Sequence, residues 1–159
     1  MMSYEKRKGD NARRVSLMAP ATALATLLLT ASCDVVTSDN GDLDGYWQLS
    51  RIDTLQSGGT TDMTRSRLFW SVQTDLLKVS DLTYQHDACL LRFDCHDDSL
   101  ILYSPYLFDQ LAGDTPLTDP AALYPYGIRS LNERYCIEQL DGSRMRLHSA
   151  ALRLYFNRY

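Results

Sequence analysis

From Gly45 onward, apolar and polar residues alternate one by one, which is the period of a β-strand with one buried face. In the final segment, for example, Leu152, Leu154 and Phe156 alternate with Arg153, Tyr155 and Asn157. The pattern predicts eight strands, at residues 45–53, 67–73, 76–80, 88–94, 98–104, 133–140, 143–149 and 151–158. This part of the chain is therefore expected to be all-β.

Two short turns and two long segments stand out among the seven connections between the predicted strands. Asp141-Gly142 predicts a two-residue hairpin, since glycine accepts the positive φ that tight turns require. Residues 94–98 are the expected turn between the fourth and fifth strands. The long segments are 54–66, rich in Gly, Ser and Thr, and 105–132, which holds four of the five prolines. Long loops of this kind are usually functional or loosely ordered.

Sequential antiparallel strands with short connections favour an up-and-down barrel, because closure removes the exposed edge strands that promote aggregation. A two-sheet β-sandwich has the same alternation and is the alternative. No boundary for a second domain is visible, so we predict one barrel domain spanning residues 45–159.

The first 33 residues have the pattern of a lipoprotein signal. Basic residues between Lys6 and Arg14 precede an uncharged apolar stretch, Leu17–Ala31, which leads to Cys33. The sequence Leu29-Thr30-Ala31-Ser32 resembles the bacterial lipobox. We predict a signal peptide at 1–32, lipidation of Cys33 and a flexible tether at 33–44. An ordinary cleaved signal or a single membrane anchor are the alternatives, although about fifteen apolar residues are short for a span of roughly twenty.

The mature chain would be acidic. Residues 1–32 hold five of the 16 Lys and Arg and two of the 20 Asp and Glu, which leaves 11 against 18, a net charge of −7. That balance argues against a nucleic-acid partner and against charge-driven membrane binding. We expect attachment through the N-terminal lipid, in the envelope of a Gram-negative bacterium, as an outer-membrane lipoprotein facing the periplasm or the cell surface.

Gly45-Tyr46-Trp47, at the start of the first strand, matches the Gly-x-Trp motif of the lipocalins, and the long loop that follows also fits that group. The chain thus resembles the lipocalin-like domain of short bacterial lipoproteins of uncharacterised function. The resemblance implies an eight-stranded antiparallel barrel of the lipocalin or calycin type. It also implies an arginine packed over Trp47, for which Arg158 is the first candidate and Arg153 the second.

An eight-stranded barrel either is filled by its own side chains or holds one small ligand. The residues predicted to line the interior, and to contact any ligand, are Trp47, Leu49, Trp70, Val72, Leu91, Phe93, Tyr135, Ile137, Met145, Leu147, Leu154 and Phe156. Because many of them are bulky, we expect a mostly filled interior with at most a shallow apolar mouth.

A group of potential metal ligands surrounds the fourth strand: His86, Asp87, Cys89, Cys95, His96, Asp97 and Asp98. Its spacing matches no zinc pattern. On one strand, Cys89 and Cys95 would lie about 20 Å apart, too far to share an ion or a disulfide. We predict no metal and no cofactor. Cys136 could pair with either cysteine, or all three could be buried thiols.

No motif for a nucleophile, a phosphate loop or a metalloprotease is found in the sequence, and we predict no enzymatic activity. The first hypothesis is a lipid-anchored envelope module that binds a small apolar ligand at the barrel mouth. The alternative is a filled barrel that acts as an interaction protein, an accessory subunit or inhibitor. Its contact residues would be Tyr103, Tyr106, Tyr124 and Tyr126, unless these only cover the long loop.

Overall fold

The computed structural model describes residues 38–159. The predicted signal peptide, Cys33 and the first part of the predicted tether lie outside the described residues. The ten strands are β1 (Gly45–Thr54), β2 (Gly59–Asp62), β3 (Leu68–Gln73), β4 (Leu76–Asp81), β5 (Cys89–His96), β6 (Ser99–Leu107), β7 (Thr115–Pro116), β8 (Glu133–Leu140), β9 (Arg144–His148) and β10 (Leu152–Arg158). Two 3₁₀ helices occupy Gly41–Leu43 and Pro120–Tyr126.

Eight of these strands close into an antiparallel barrel. Each pairs with the next in the order β1, β3, β4, β5, β6, β8, β9 and β10. Strand β10 then pairs with β1, with Leu49 opposite Phe156 and Trp47 opposite Arg158. The predicted all-β barrel is therefore confirmed, and all eight predicted strands agree with the observed bounds to within three residues. The sandwich alternative is wrong, because the two end strands are hydrogen-bonded to each other.

Two short outer strands lie in segments that the sequence predicts as loops. Strand β2 pairs with the second half of β1, and β7 pairs with the end of β6. All four residues of β2 are exposed, so there is no buried face to produce an alternating pattern. The two residues of β7 are too few for any period.

Two turns differ from the prediction. Strand β5 continues through His96, so the turn before β6 contains Asp97-Asp98 alone. At the β8–β9 hairpin, the loop is the three residues Asp141-Gly142-Ser143, and Gly142 does not have a positive φ. The carboxylate of Asp141 holds this turn instead, accepting hydrogen bonds from the Ser143 and Arg144 backbone N–H groups, each at 2.9 Å.

The strand directions give the barrel two distinct ends. The N-terminal end consists of residues 38–44 and the turns at 74–75, 97–98 and 141–143. The mouth consists of the loops at 55–58, 82–88, 108–132 and 149–151. Among residues 38–159, no helix has the length and apolarity needed to cross a bilayer.

Residues 38–44, predicted as part of a flexible tether, are packed against the N-terminal end. Leu43 is almost fully buried in the core. The Ser38 hydroxyl accepts a hydrogen bond from the Thr74 backbone N–H at 2.7 Å, and the Asn40 amide donates to the Thr74 carbonyl at 2.7 Å. These bonds join positions 34 to 36 residues apart in sequence. Because the prediction of a flexible tether used only the local polarity of the segment, it could not include such distant contacts.

Candidate functional site

The barrel interior is a continuous apolar core. Eleven of the twelve residues predicted to line it are at most 7% exposed, and Ile137 alone is partly exposed at the core's edge. The interior also contains residues outside the predicted set, namely Leu43, Leu68, Leu77, Val79, Cys89, Leu100, Leu102, Leu123, Tyr126, Ile128 and Leu152. The additional strand residues follow the same alternation, whereas Leu43, Leu123, Tyr126 and Ile128 come from the segments that cover the two ends.

Aromatic side chains occupy the centre of the barrel. The ring of Trp70 lies 4.9 Å from that of Phe156 and 6.0 Å from that of Tyr135, measured between centroids. The indole N–H of Trp47 donates to the Leu43 carbonyl at 2.9 Å, and that of Trp70 donates to the Tyr126 carbonyl at 3.2 Å. Each tryptophan thus satisfies its only polar group on a 3₁₀ segment that covers one end of the barrel.

The second 3₁₀ helix and the two residues after it, 120–128, form a plug in the mouth. Asp119 caps the helix by accepting from the Ala121 N–H at 2.7 Å, and Pro120 follows it at the first helical position. The side chains of Leu123, Tyr126 and Ile128 are fully buried. The plug therefore places its own apolar groups where an interior ligand would enter.

Hydrogen bonds and close packing fix the plug to three sides of the mouth. The Tyr126 hydroxyl donates to the Asp87 carbonyl at 2.8 Å, and the Tyr135 hydroxyl donates to the Gly127 carbonyl at 2.9 Å. Gly127 has a φ of 85°, and a Cβ there would lie 2.7 Å from Cδ2 of Leu154. Burial raises the pKa of both tyrosine hydroxyls, so both remain neutral hydrogen-bond donors.

Sequence reasoning missed the plug because residues 105–132 have no period and many prolines. The local signals were Asp119-Pro120, which begins a helix, and Gly127, which ends one in the left-handed conformation. These signals predict a short helical segment but not its burial. Tyr126, predicted as an outer contact or a loop cover, belongs to the interior.

Arg158, rather than Arg153, lies over Trp47. Its guanidinium carbon is 5.2 Å from the centre of the indole ring, and Nη2 donates to the Asp44 carbonyl at 2.7 Å. Arg153 is on the outer face, where its guanidinium pairs with Glu138 at 2.8 Å. Arg158 therefore ties the last strand to the segment that enters the first.

The three cysteines of the described residues are free thiols in different surroundings. Cys89 is buried, Cys95 is half-buried at the opposite end of the same strand, and Cys136 is exposed on the outer face. Burial raises the pKa of Cys89 to about 11 and also raises the pKa of Cys95. Within residues 38–159, no three His, Cys, Asp or Glu side chains lie close enough together to hold a metal ion.

The outer surface next to the mouth carries a groove of about 680 Å³, here called the mouth groove. It lies between the outer faces of β1, β3 and β4 on one side and the 82–88 and 108–110 loops on the other. Its aromatic walls are Tyr46, Tyr84 and Phe108. Lys78 places its ammonium 3.8 Å from the centre of the Phe108 ring, so this cation is held within the groove.

The mouth loops also carry large apolar side chains that the fold leaves exposed. Leu111 is 99% exposed and Tyr84 is 91% exposed, and Leu55 and Tyr124 are exposed on neighbouring loops. Of the other tyrosines predicted as contacts, Tyr106 is exposed at the end of β6. Tyr103 is half-buried on the outer face, with its hydroxyl 3.5 Å from Asp94.

The closed eight-stranded barrel, the Gly-x-Trp entry and the arginine over Trp47 are the features that the resemblance to lipocalin-like domains implies. The family model described as a lipocalin-like domain matches residues 27–159. The chain belongs to the lipocalin-like domain family. Lipocalin-like domains typically serve as binding folds rather than enzymes.

Two solved structures are similar to this lipocalin-like domain. A lipocalin-like protein from Bacteroides uniformis ATCC 8492 superposes with a TM-score of 0.56 at 16% identity, covering 75% of this chain and 100% of that one. An uncharacterized protein from Bacteroides eggerthii DSM 20697 superposes with a TM-score of 0.52 at 13% identity, covering 73% and 98%. At these identities the likeness concerns the fold alone. No protein of curated function matches the chain.

Proposed function

We propose that this lipocalin-like protein is a lipid-anchored interaction module of a Gram-negative cell envelope, which binds a partner through its outer surface and mouth loops. The observation that carries the proposal is the plug. Leu123, Tyr126 and Ile128 fill the mouth from within the chain, so a barrel of this size has little interior volume left for a ligand.

The hypothesis of a small apolar ligand at the mouth requires free volume where the plug now packs. Displacing the plug would break the Tyr126 and Tyr135 hydrogen bonds to Asp87 and Gly127. It would also expose three apolar side chains, at a cost of roughly 1.5–3 kcal/mol for each that was fully buried. A weakly bound apolar ligand would not offset that cost, so we favour the filled barrel.

Ligand binding is tested on protein purified from membranes. Native mass spectrometry and organic extraction should find no retained small molecule, and fatty acids or retinoids should leave the unfolding temperature unchanged. A retained apolar molecule, together with an unfolding temperature that rises with its concentration, would favour the interior-ligand hypothesis instead.

Membrane attachment through Cys33 is proposed from the leader sequence and is tested separately. Mass spectrometry of the N-terminal peptide should find Cys33 acylated, and Cys33→Ser should move the protein from the membrane fraction to the soluble fraction. Cys136→Ser is the matched control, since it removes an exposed thiol from the outer face and should leave fractionation unchanged. A bare thiol at Cys33 in membranes would overturn the anchored form of the proposal.

A further inference from the structure

We propose that the mouth loops are a docking surface for a protein whose contact area is apolar at its centre and is surrounded by Lys and Arg. This surface lies at the end of the barrel opposite the N-terminal end. The inference rests on the proposed function as an anchored interaction module, and it assigns the surface and the partner's chemistry.

The mouth lies at the end of the barrel opposite the first described residues. Ser38 and Asn40 are hydrogen-bonded to Thr74 at the N-terminal end. From that end, the nine residues of β6 extend roughly 30 Å towards the mouth. The N-terminal segment 38–44 therefore does not cover the mouth loops.

Exposed apolar side chains are concentrated on the mouth loops. Leu55, Tyr84, Leu111 and Tyr124 come from loops that are far apart in sequence, and the barrel brings them to one end. Tyr84 and Leu111 contribute almost nothing to the core because they are at least 91% exposed. Large apolar side chains grouped on one part of a surface are typical of protein-binding sites.

The conformation of Tyr84 supports a role in contact rather than in folding. This residue has a φ of 57°, a left-handed conformation that glycine or asparagine adopts with less strain. Asp81 holds the turn, accepting from the Thr83 and Gln85 N–H groups at 2.7 and 3.1 Å. Strained backbone conformations are common at functional sites. Here a well-fixed turn holds a strained tyrosine with its side chain in solvent.

Charge and shape define the partner. The loops at 82–88 and 108–132 carry four aspartates, at positions 87, 109, 114 and 119, against one arginine, Arg129. A complementary partner therefore carries Lys and Arg at the rim of its contact area. The same acidity disfavours the headgroups of anionic lipids. The mouth groove, with Tyr46, Tyr84 and Phe108 along its walls, suits an apolar side chain projecting from that partner, since Lys78 already occupies the face of the Phe108 ring.

Site-specific photo-cross-linking in the bacterium that encodes the protein tests the inference. In the full chain, p-benzoylphenylalanine replaces Tyr84 or Leu111, and in the control it replaces Asp98, which is exposed at the opposite end. We expect adducts to one discrete protein from the two mouth positions and at least tenfold less from position 98. The cross-linked peptide of the partner should contain apolar residues together with Lys or Arg.

Charge reversal provides a matched pair of variants. The side chains of Asp87 and Asp98 are both exposed, and the backbone carbonyls of both accept a hydrogen bond within the fold. Asp87→Lys should lower the adduct yield from position 111 roughly threefold, whereas Asp98→Lys should leave it unchanged. Equal losses from both variants would contradict a charge-matched mouth.

Four other outcomes overturn the inference: adducts to lipid, adducts to a second copy of this chain, equal yields at the two ends, and no adduct from either mouth position. Mass spectrometry of Cys33 in the same membranes separates this failure from failure of the proposed function. Acylated Cys33 without mouth adducts refutes the docking surface and retains the anchored envelope protein. Mouth adducts with a bare Cys33 refute the anchor and retain the docking surface.

Discussion

Trp47 and Arg158 lie opposite each other across the β1–β10 pair, with the guanidinium of Arg158 5.2 Å from the centre of the indole ring. The same guanidinium donates to the carbonyl of Asp44, just before β1. One side chain therefore joins the last strand, the first strand and the segment that covers the N-terminal end.

Arg158→Ala should lower the free energy of unfolding by about 1–2 kcal/mol, since it removes a partly exposed cation–π contact and a charge-assisted hydrogen bond. Urea unfolding followed by tryptophan fluorescence measures this loss. Arg144→Ala, at an exposed position on β9, is the control and should change stability by less than about 0.5 kcal/mol. Equal losses of unfolding free energy in the two variants would mean that the contact between Arg158 and Trp47 does not stabilise the fold.

Tyr126→Ala should convert the plug into a binding cavity. Removing this fully buried side chain should cost about 3–5 kcal/mol, and an apolar cavity of that size should take up xenon or benzene. Chemical denaturation and xenon-dependent NMR shifts are the measurements. Tyr124→Ala, which removes an exposed neighbour on the same segment, should cost no more than about 1 kcal/mol and bind no xenon. Wild-type protein that takes up as much xenon as the variant would contradict a filled mouth.

Gly127→Ala should destabilise the fold by about 2–4 kcal/mol, because the new Cβ meets both a left-handed backbone and the side chain of Leu154. Gly142→Ala is the matched control. A Cβ at position 142 has no atom within 4 Å and no positive φ to accommodate, so its unfolding midpoint should not fall. The unfolding temperatures of the two variants are compared by thermal unfolding. If Gly142→Ala lowers the unfolding temperature as much as Gly127→Ala does, the result would argue against close packing of the plug.

Asp141 should make the β8–β9 hairpin sensitive to acid. A hydrogen bond from the Gln139 side chain, followed by those from Ser143 and Arg144, holds the pKa of the Asp141 carboxyl well below its usual value of 3.8. A depressed native-state pKa contributes stability above the unfolded-state pKa, and that stability is lost as the pH falls through the lower native value. Asp141→Asn should therefore lower the urea midpoint at pH 7, and the difference from wild type should shrink below pH 3.8.

The control for that experiment is Asp98→Asn, at an exposed turn on the same end of the barrel. Its urea midpoint at pH 7 should differ from that of wild type by less than the midpoint of Asp141→Asn does. If the urea midpoints of wild type and Asp141→Asn move further apart as the pH falls, the assigned role of the carboxylate is contradicted.

Alkylation should distinguish the exposed thiol of Cys136 from the buried thiol of Cys89. Exposed Cys136 should react with iodoacetamide in the native protein at pH 8. Buried Cys89, whose pKa is raised to about 11, should react only as the chain unfolds, since the thiolate is the nucleophile. Peptide mapping after timed alkylation, with and without urea, measures both rates. Rapid native labelling of Cys89 would mean that the barrel opens beside the mouth.

The sequence determined the strands and their order, because alternation of apolar residues is a local property of each strand. Leu152, Leu154 and Phe156 have to face one side of β10 whatever the strand pairs with. The same parity placed Arg158 on the side of the strand that lies over Trp47. Consecutive antiparallel strands favour closure into a barrel, but the observed pairing of β1 with β10 is what excludes the sandwich.

Only the tertiary structure decided how the ends of the barrel are covered. Residues 38–44 and 120–128 have no period, and their burial depends on Thr74, Asp87 and Trp70, which are distant in sequence. Leu123 and Tyr126 are buried because the barrel provides a mouth of their size. The same folding leaves Tyr84 and Leu111 exposed on two loops of that mouth. Local sequence fixes which face of a strand is apolar, whereas the filling of a cavity depends on the volume that distant segments enclose together.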